Sequence, residues 1–431
     1  MAFLHEHIIL PLGDLLRGEQ VYKYLRLLEE AESWTSEQMD AFQQERLRKL
    51  ITYAATEVPF YHDWFLNQHL DPTTATLNEL PIVSKAIMRK EGIDRFSAEH
   101  FLVKKRIHSR SSGSTGEPFS FYVSKESYSI NTAAKLRTWY QAGYHLGDRY
   151  MKIANGARHG KFKKLQDKIN NCLYVPFYSM SDDVLRSILD KIEHSRPTII
   201  RSYPIPLYLL AQYRNNHNDD HRHKPLHVMT TGSTLSAAFR AEIEKAFGCD
   251  VIDSYSCEGT ANCYETTEHD GYHITQYYGL IEILDDNNHP IANGIGHVVS
   301  TDLWNLAHPF IRYDTQDLVE VRDGKITRIM GRECESYISA NGQRYTVHNF
   351  VGFFQEDNRP TRQSVTAYQV VKRKDGGITF RLVVNEQYTS GIERYIIDFW
   401  KQQLDVPVSV SIVDEIPLMH NNKRLTIVEE K

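Results

Sequence analysis

Hydrophobic positions change their spacing along the chain, and each spacing predicts a different kind of structure. In residues 21–55 they recur every three or four positions, which predicts helices with an N-cap at Thr35 or Ser36. Between residues 125 and 252, short apolar runs alternate with helical segments, which predicts an α/β domain with substantial parallel sheet. After Tyr278, short strands separated by Asp, Asn and Gly turns predict a smaller β-rich subdomain.

The last part of the chain has a pattern of its own. It predicts a strand over 377–384, a helix over 390–404 and a final strand over 408–413. A tail of about 100 residues with this pattern is large enough for a small α+β domain. We predict a boundary near Gly331-Arg332-Glu333, which gives a large domain of residues 1–330 and a small one of residues 331–431.

Composition narrows the class of protein. The chain has 431 residues, of which 41% are hydrophobic and 24% charged, and these are the values of an ordinary globular protein. A net charge of −5 argues against nucleic acid as the main partner. No apolar run approaches the ~20 residues that span a bilayer, and the start lacks the features of a secretory signal. Five scattered cysteines favour reduced thiols, and we therefore expect a cytoplasmic protein.

One polar stretch, Ser109-Arg110-Ser111-Ser112-Gly113-Ser114-Thr115-Gly116-Glu117-Pro118, lies between hydrophobic runs at 101–103 and 119–123. We expect those runs to be strands, which makes the stretch a hairpin-like turn. Glycine lets the backbone approach a ligand closely, and successive N–H groups with nearby hydroxyls can surround an anion. A flexible, solvated turn is the alternative. The stretch has neither the Walker pattern nor the dinucleotide-binding glycine pattern.

Other polar groups follow predicted strands, where ligands bind in open α/β sheets. Tyr255 follows the strand predicted at 251–252 and can stack on a base, and Glu258 can hold Mg²⁺. Asp317 is suited to the vicinal hydroxyls of a ribose, and Arg332 can reach phosphate or ribose oxygens. A surface turn is the alternative for the first pair, and an ordinary ion pair is the alternative for Arg312 and Asp317.

A histidine-rich segment, residues 217–227, has no regular spacing of metal ligands, and we interpret it as a solvated loop. Three further segments, 154–160, 202–206 and 231–235, follow predicted strands. We expect them to line a substrate pocket, although they do not indicate its size.

Four motifs occur in a specific order, namely SSGSTGEP, YSCEG, TDLWNLAHPFIRYDTQDL and GRECESYISANG. Together they resemble the adenylate-forming superfamily of acyl-CoA synthetases and related ligases. The chain is most similar to the phenylacetate-CoA ligase branch, with its capsule-biosynthesis relatives, over roughly residues 20–431. The resemblance implies an α/β fold with a large N-terminal domain, built of mixed sheets with helices plus a small β-rich subdomain. It also implies a small, mobile α+β C-terminal lid domain.

The resemblance also implies roles for individual residues. The phosphates of ATP would be held by Ser111, Ser112, Gly113, Ser114, Thr115 and Gly116. Tyr255 would lie near adenine, and Glu258 would bind Mg²⁺. Asp317 would hold the ribose hydroxyls, and Arg332 would contact ribose or phosphate. Lys423 would contact the reacting carboxylate and the α-phosphate, which makes Lys423 and Glu258 the expected catalytic residues.

The chain also departs from the family pattern. The usual Tyr-Gly-x-Thr-Glu is one residue shorter here, and Gln316 stands where glycine is usual before Asp317. Some relatives have a zinc site with cysteine ligands. Cys263 remains here, together with His269 or His273, but these residues do not supply the four ligands of a closed site.

The implied activity is ATP-dependent activation of a small carboxylic acid, with an aromatic acid expected. Pyrophosphate would leave, and the acyl group would pass from the adenylate to coenzyme A. Transfer to an amine or a sugar is the first alternative, and a non-catalytic nucleotide-binding relative is the second. The expected ligands are ATP, Mg²⁺, coenzyme A and the acid, without nucleic acid or membrane, and a homodimer is compatible with them.

Overall fold

In the computed structural model of the chain, the described residues are 2–110, 120–154, 160–176, 182–217, 222–257, 260–332, 336–339, 344–346, 349–350, 353–354, 360–416 and 425–430. They form one large sheet, two sheets of two strands each and a four-stranded sheet near the C-terminus. Helices pack on the large sheet and on the four-stranded sheet.

Helices dominate the first hundred residues, and those within residues 21–55 were predicted from the periodicity. They are α1 Ala2–Leu4, a π-helical turn His5–Ile9, α2 Leu10–Arg17, α3 Val21–Ala31, α4 Ser36–Glu57, α5 Pro59–Gln68 and α6 Lys85–Glu91. The predicted N-cap of α4 is confirmed at Thr35. The Thr35 side chain accepts a hydrogen bond from the backbone N–H of Gln38, whose side chain accepts one from the backbone N–H of Thr35.

Strands and helices then alternate, which confirms the predicted α/β pattern. After α7 Lys125–Gln141 come β4 Tyr150–Ala154, α8 Lys161–Ile169, β5 Cys172–Pro176, α9 Asp182–Ser195, β6 Ile199–Ser202, α10 Pro204–Asn216, β7 His227–Thr231, α11 Ala237–Phe247 and β8 Val251–Cys257. The strands are parallel and lie in the order β5-β4-β6-β7-β8. The carboxyl ends of β4, β6 and β7 are therefore neighbours.

The β-rich part of the sequence continues the same sheet with antiparallel pairing. Its strands are β9 Ala261–Glu265, β10 Tyr272–Ile274, β11 Gly279–Leu284, β12 Gly294–Asp302, β13 Tyr313–Arg322 and β14 Lys325–Arg332. The short strand β1 Val83–Ser84 pairs with β13, which completes twelve strands among the described residues. The sheet changes from parallel to antiparallel pairing at β8, which is parallel to β7 and antiparallel to β9.

Two strand boundaries differ from the prediction. The strand predicted at 251–252 is longer than predicted, because β8 continues to Cys257 and pairs with β9. The strand predicted at 101–103 is wrong, since the strand β2 runs over Arg106–Arg110 and pairs with β3 Ser120–Ser124. Cross-strand contacts stabilise this hairpin, and the Arg106 guanidinium carbon lies 4.0 Å from the Tyr122 ring centroid. The serine-rich residues 111–119 between the two strands lie outside the described residues.

The C-terminal elements match the predicted α+β tail. They are β15 Ser336–Ile338, β16 Arg344–Thr346, α12 Pro360–Ser364, β17 Val365–Lys372, β18 Ile378–Val384, α13 Ser390–Leu404, β19 Val408–Ile412 and β20 Ile427–Glu429. The strands of the four-stranded sheet lie in the order β19-β18-β17-β20. Phe350, Phe380 and Trp400 lie in a hydrophobic core that this region builds for itself. The boundary near residue 331 and the division into two domains stay a prediction.

In the described part of the chain, no helix is long and apolar enough to cross a membrane. Cys249 and Cys263 carry free thiols, as expected for reduced cysteines. Burial raises the pKa of Cys249 to about 12, so this thiol stays protonated and unreactive.

Candidate active site

Three predicted site residues, far apart in the sequence, lie together in the large sheet. Tyr255 lies near the end of β8, while Asp317 on β13 is directly opposite Arg332 at the end of β14. The Tyr255 hydroxyl donates a hydrogen bond of 2.7 Å to Oδ2 of Asp317. Nε of Arg332 lies 3.3 Å from Oδ1 of the same carboxylate. The carboxylate therefore has a phenol on one oxygen and a guanidinium on the other.

The backbone before Asp317 makes a tight local structure. The backbone N–H of Asp317 donates to Oγ1 of Thr315 at 3.1 Å, and that of Gln316 donates to Oδ1 of Asp314 at 2.9 Å. Gln316 has φ of +60°, in the left-handed region that favours glycine. This angle explains why glycine is usual at this position in the family that the sequence resembles.

The cluster is shielded from solvent. The side chain of Asp317 is 11% exposed and that of Arg332 is 22% exposed. Burial, and then the neighbouring Asp317 carboxylate, raise the pKa of Tyr255 well above its usual value, so its hydroxyl remains a donor. A carboxylate has about four acceptor positions in all. Asp317, oriented by these two partners, has the chemistry needed to accept hydrogen bonds from vicinal hydroxyls.

A second set of polar residues forms hydrogen bonds with β8. Most of these residues were not predicted from the sequence. Asp253 is buried and accepts hydrogen bonds from Tyr272 Oη at 2.7 Å and from Thr230 Oγ1 at 2.5 Å. Its backbone N–H donates to Glu265, which is paired with Arg240. These residues belong to neighbouring strands and a helix. The sequence feature that could have indicated them is the occurrence of polar residues at positions predicted to be buried in strands. They hold β8, and with it Tyr255, in place.

Eight predicted site residues lie outside the described residues, namely Ser111, Ser112, Gly113, Ser114, Thr115, Gly116, Glu258 and Lys423. Their roles stay predictions. Arg312, for which an ion pair was the alternative to a functional role, donates to Glu282 at 2.9 Å and to the Leu80 carbonyl at 3.2 Å. It therefore joins the large sheet to the segment before β1.

The segments predicted to line the acid pocket begin at three neighbouring strand ends. Ala154, Ser202 and Thr231 are the last residues of β4, β6 and β7, which lie side by side. Gly232 follows β7 with φ of +77°, and a Cβ there would lie 2.8 Å from the Tyr203 ring. The Tyr203 ring therefore packs directly on Gly232. Residues 155–159, which belong to the first of the three segments, lie outside the described residues.

The described residues contain one group with the spacing of metal ligands, formed by Glu244, Asp250 and His269. Nη1 of Arg240 lies 3.8 Å from the Glu244 carboxylate and 3.4 Å from Nδ1 of His269. A guanidinium therefore already neutralises the group, and this argues against a metal ion there. Cys263, a ligand candidate from the sequence, is buried in the core of the sheet instead.

No family model matches the chain. Protein CapK of Staphylococcus aureus is 24% identical over 314 residues, which are 67% of each chain. The phenylacetate-coenzyme A ligase of Thermus thermophilus is 26% identical over 308 residues, again 67% of each. The crystal structure of 2-hydroxyisobutyryl-CoA ligase in the postadenylation state, in complex with 2-HIB-AMP, matches with a TM-score of 0.72 and 16% identity. That match covers 93% of this chain and 91% of the ligase.

The predicted resemblance to the phenylacetate-CoA ligase branch of the adenylate-forming superfamily is confirmed by these relatives. The chain is an AMP-forming ligase, as the four ordered motifs predicted. Its mixed α/β architecture is the fold of adenylate-forming ligases. The crystal structure of 2-hydroxyisobutyryl-CoA ligase shares this fold over 93% of this chain. Within this adenylate-forming ligase, the cluster of Tyr255, Asp317 and Arg332 is the described part of the candidate nucleotide site.

Proposed function

We propose that this ligase uses ATP to activate a small aromatic carboxylic acid and then transfers the acyl group to coenzyme A. The observation that carries the proposal is the Asp317 carboxylate, held between the Tyr255 hydroxyl and the Arg332 guanidinium. The Tyr203 ring, which packs on Gly232 beside the predicted acid-pocket segments, supports an aromatic acid.

The chemistry explains why the enzyme needs such a site. A carboxylate is a poor electrophile, because hydroxide is a poor leaving group. Attack of a carboxylate oxygen on the α-phosphorus of ATP forms the mixed anhydride and breaks the bond to pyrophosphate. The thiol of coenzyme A then attacks the acyl carbon and AMP leaves. Both first reactants are anions, so the protein has to hold them in line and neutralise charge.

The role of each residue follows from this need. We propose that Asp317 fixes the ribose and that Arg332 contributes positive charge beside it. Residues 111–116 would hold the phosphates with N–H and hydroxyl donors, and Lys423 would bridge carboxylate and α-phosphate. Mg²⁺ on Glu258 would supply further charge neutralisation on the phosphates.

An exchange assay tests the first half-reaction. ATP is incubated with labelled pyrophosphate and a panel of aromatic and aliphatic acids, and label in ATP is measured. We expect exchange that depends on an acid, with phenylacetate-like acids among the active ones. Binding of ATP without exchange across the whole panel would contradict the proposal and favour the non-catalytic alternative.

A second candidate is transfer of the activated acyl group to an amine or a sugar. The similarity to CapK favours it, since the sequence also resembles the capsule-biosynthesis relatives of this branch. Product analysis after adding coenzyme A or amine acceptors to the same acid separates the two. A cytoplasmic location and a homodimer are proposals as well, and fractionation and light scattering test them.

A further inference from the structure

The first helical segment of the chain presents its apolar side to solvent. In residues 3–17, which include the π-helical turn and α2, every exposed residue is a phenylalanine, a leucine or an isoleucine. We call these residues the leucine face, and they are Phe3, Leu4, Ile8, Leu12, Leu15 and Leu16. Leu15 and Leu16 are 79% and 87% exposed. A helix that packs on a globular protein normally turns its apolar side toward the core, so this segment is reversed.

The polar residues of the same segment contact the protein instead of solvent. Glu6 accepts a hydrogen bond of 2.7 Å from Tyr140 Oη on α7 and also pairs with Arg26 on α3. Asp14 is buried and accepts a hydrogen bond of 2.7 Å from the backbone N–H of Tyr22. These contacts fix which side of the segment packs on the protein, and the leucine face is therefore held on the opposite, outer side.

A basic helix lies beside the leucine face. Nε2 of His5 lies 3.0 Å from the carbonyl oxygen of Ile169, the last residue of α8, so α8 ends next to the start of the leucine face. The exposed residues described on α8 are lysine, leucine and isoleucine alone, namely Lys161, Lys163, Lys164, Leu165, Lys168 and Ile169. The carboxylate residue of α8, Asp167, is half-buried. The leucine face and α8 therefore expose apolar side chains and lysines, and no exposed carboxylate occurs among their described residues.

This combination of side chains fits a lipid surface better than it fits a second copy of the chain. Neighbouring apolar side chains exposed in this way mark a contact with a protein or a membrane. A symmetric dimer uses the same patch on both copies, so it would bring two sets of α8 lysines into one interface without exposed carboxylates to pair with them. A bilayer with anionic headgroups suits both parts, because leucines enter the acyl boundary while lysines extend to the phosphates.

We propose that the leucine face and α8 dock this ligase on the surface of a membrane that contains anionic lipids. The segment of residues 3–17 lies in the plane of the bilayer, with its leucines below the headgroups and the α8 lysines at the level of the lipid phosphates. The sequence predicted no membrane partner because no apolar run spans a bilayer, but a surface contact needs no such run. The inference does not depend on which acid or acceptor the ligase uses.

Flotation of the full chain with lipid vesicles tests the inference. One set of vesicles contains phosphatidylcholine alone, and the other contains about 30% phosphatidylglycerol in phosphatidylcholine. We expect the wild-type protein to bind the anionic vesicles about 10-fold or more tightly than the neutral ones. Raised salt should weaken this binding, because it screens the attraction between the lysines and the lipid phosphates. Equal binding to both vesicles, or binding to neither, would overturn the inference.

Two double variants separate the apolar part of the surface from its charged part. Leu15→Ser combined with Leu16→Ser should weaken binding to the anionic vesicles by about 10-fold or more, because it removes two leucines that would enter the bilayer. Lys164→Gln combined with Lys168→Gln should weaken it by about 10-fold to 30-fold and remove most of the preference for anionic lipid. All four positions are exposed, so both double variants should keep the wild-type melting temperature.

Matched controls come from other helices. Leu66→Ser on α5 removes a leucine that is 61% exposed, and Lys245→Gln removes an exposed lysine on α11, so both should bind vesicles like the wild type. Wild-type binding by either double variant would overturn the inference, because docking requires both parts of the surface.

Light scattering tests the other occupant of this surface. A wild-type dimer that Leu15→Ser with Leu16→Ser converts to a monomer, together with no binding to vesicles, would assign the leucine face to a second copy and overturn the inference. Pyrophosphate exchange is measured without lipid, so failure of the inference and failure of the proposed function are separate results.

Discussion

At the scale of single residues, one backbone angle links a departure from the family pattern to the candidate site. Gln316 has φ of +60°, which costs a side-chain-bearing residue roughly 1 kcal/mol relative to glycine. The chain keeps this conformation because the hydrogen bonds of Asp314 and Thr315 hold the backbone around it. The turn therefore presents Asp317 to Tyr255 and Arg332 even without glycine. Gln316 in place of the usual glycine is therefore compatible with a functional nucleotide site.

Asp317→Ala is the first prediction at this scale. A hydrogen bond to a charged group is worth about 1.5–3 kcal/mol, so losing the ribose contact should raise the KM for ATP by about 10-fold to 100-fold. Initial rates of pyrophosphate exchange against ATP concentration measure this. Asp183→Ala, at an exposed position in the first turn of α9, is the control and should keep the wild-type KM. A lower melting temperature with an unchanged KM would make Asp317 a structural ion-pair residue.

The residue types of the site could be predicted from the sequence, but their proximity could not. Tyr255, Asp317 and Arg332 were recognisable because a ring, a carboxylate and a guanidinium follow predicted strands at the family's spacing. Their meeting depends on the register of β13 with β14, which has two shifts between residues 317 and 322. Such shifts come from pairing across the sheet, and no local pattern encodes them.

At the scale of elements, one buried carboxylate joins β12, α7 and the loop that follows β12. Oδ1 of Asp302 accepts hydrogen bonds from the backbone N–H groups of Trp304 and Asn305, at 2.8 and 3.2 Å. Its Oδ2 accepts one from the Ser127 hydroxyl at 2.9 Å. Asn305 in turn accepts from the backbone N–H of Ser124 at the end of β3. The hairpin that carries the serine-rich stretch is therefore anchored to the large sheet through this junction.

Asp302 should make stability depend on pH. Burial raises its pKa to about 7 from an ordinary value of 3.8. The folded state therefore binds this proton more tightly than the unfolded state, and its contribution to stability is lost as pH rises from about 4 to about 7. Asp302→Asn lacks this titration, so its melting temperature should gain on the wild type across that range. Thermal unfolding at several pH values measures the difference.

The exposed residue Asp183 provides the control for this comparison. Asp183→Asn should follow the wild-type curve of melting temperature against pH. Parallel curves for wild type and Asp302→Asn would show that the junction holds its carboxylate ionised at all these pH values. A second buried group, His308, works in the opposite direction, because burial lowers its pKa to about 3 and favours folding at higher pH. Comparing Asp302→Asn with the wild type removes this common contribution.

Element boundaries illustrate the same limit of sequence reasoning. The helix α13 was predicted with its observed ends, since its apolar spacing and Thr389 cap are local signals. The end of β8 was not, because Asp253, Ser254 and Ser256 resemble turn residues. Their extended conformation comes from pairing with β7 and β9, and that pairing is not visible in the local sequence.

At the scale of the whole molecule, the described C-terminal elements form a unit with their own core. Trp400, Phe350 and Phe380 pack within it, and its sheet is separate from the large one. Such a unit can rotate as a body, which the two half-reactions of the proposed function require. We therefore keep residues 331–431 as a proposed mobile domain.

Lys423→Ala tests this proposed motion. A lysine between carboxylate and α-phosphate would act mainly in the transition state of adenylation, so its loss should lower kcat and kcat/KM together, by about 10²–10³. Thioester formation from a supplied acyl-adenylate should be nearly unchanged, because the domain has then turned away. Arg424→Ala is the neighbouring control. Wild-type exchange by Lys423→Ala would remove this residue from the site and make Arg424 the next candidate.

The contact between the two units offers a prediction that does not depend on Lys423. Nη2 of Arg362 lies 3.3 Å from the Glu242 carboxylate on α11, and that carboxylate also accepts a hydrogen bond from Asn215 at 2.8 Å. Arg362 is on α12, so this ion pair joins the C-terminal unit to the large one. If the C-terminal unit moves between the two half-reactions, the ion pair forms only in the arrangement seen here. Removing it with Arg362→Ala then destabilises one arrangement and leaves the other unaffected. A partly exposed ion pair is worth up to about 1 kcal/mol, which predicts a change of up to about 5-fold in the ratio of the two half-reaction rates.

Exchange and thioester formation from the supplied adenylate, measured on the same preparation, give this ratio. Glu242→Gln should change it in the same direction as Arg362→Ala, since both remove the same ion pair. Arg394→Ala, an exposed cation on α13, should leave it unchanged. If Arg362→Ala and Glu242→Gln lower both rates equally, or change neither, the contact does not distinguish two arrangements. The C-terminal unit would then have to complete both half-reactions without separating from α11.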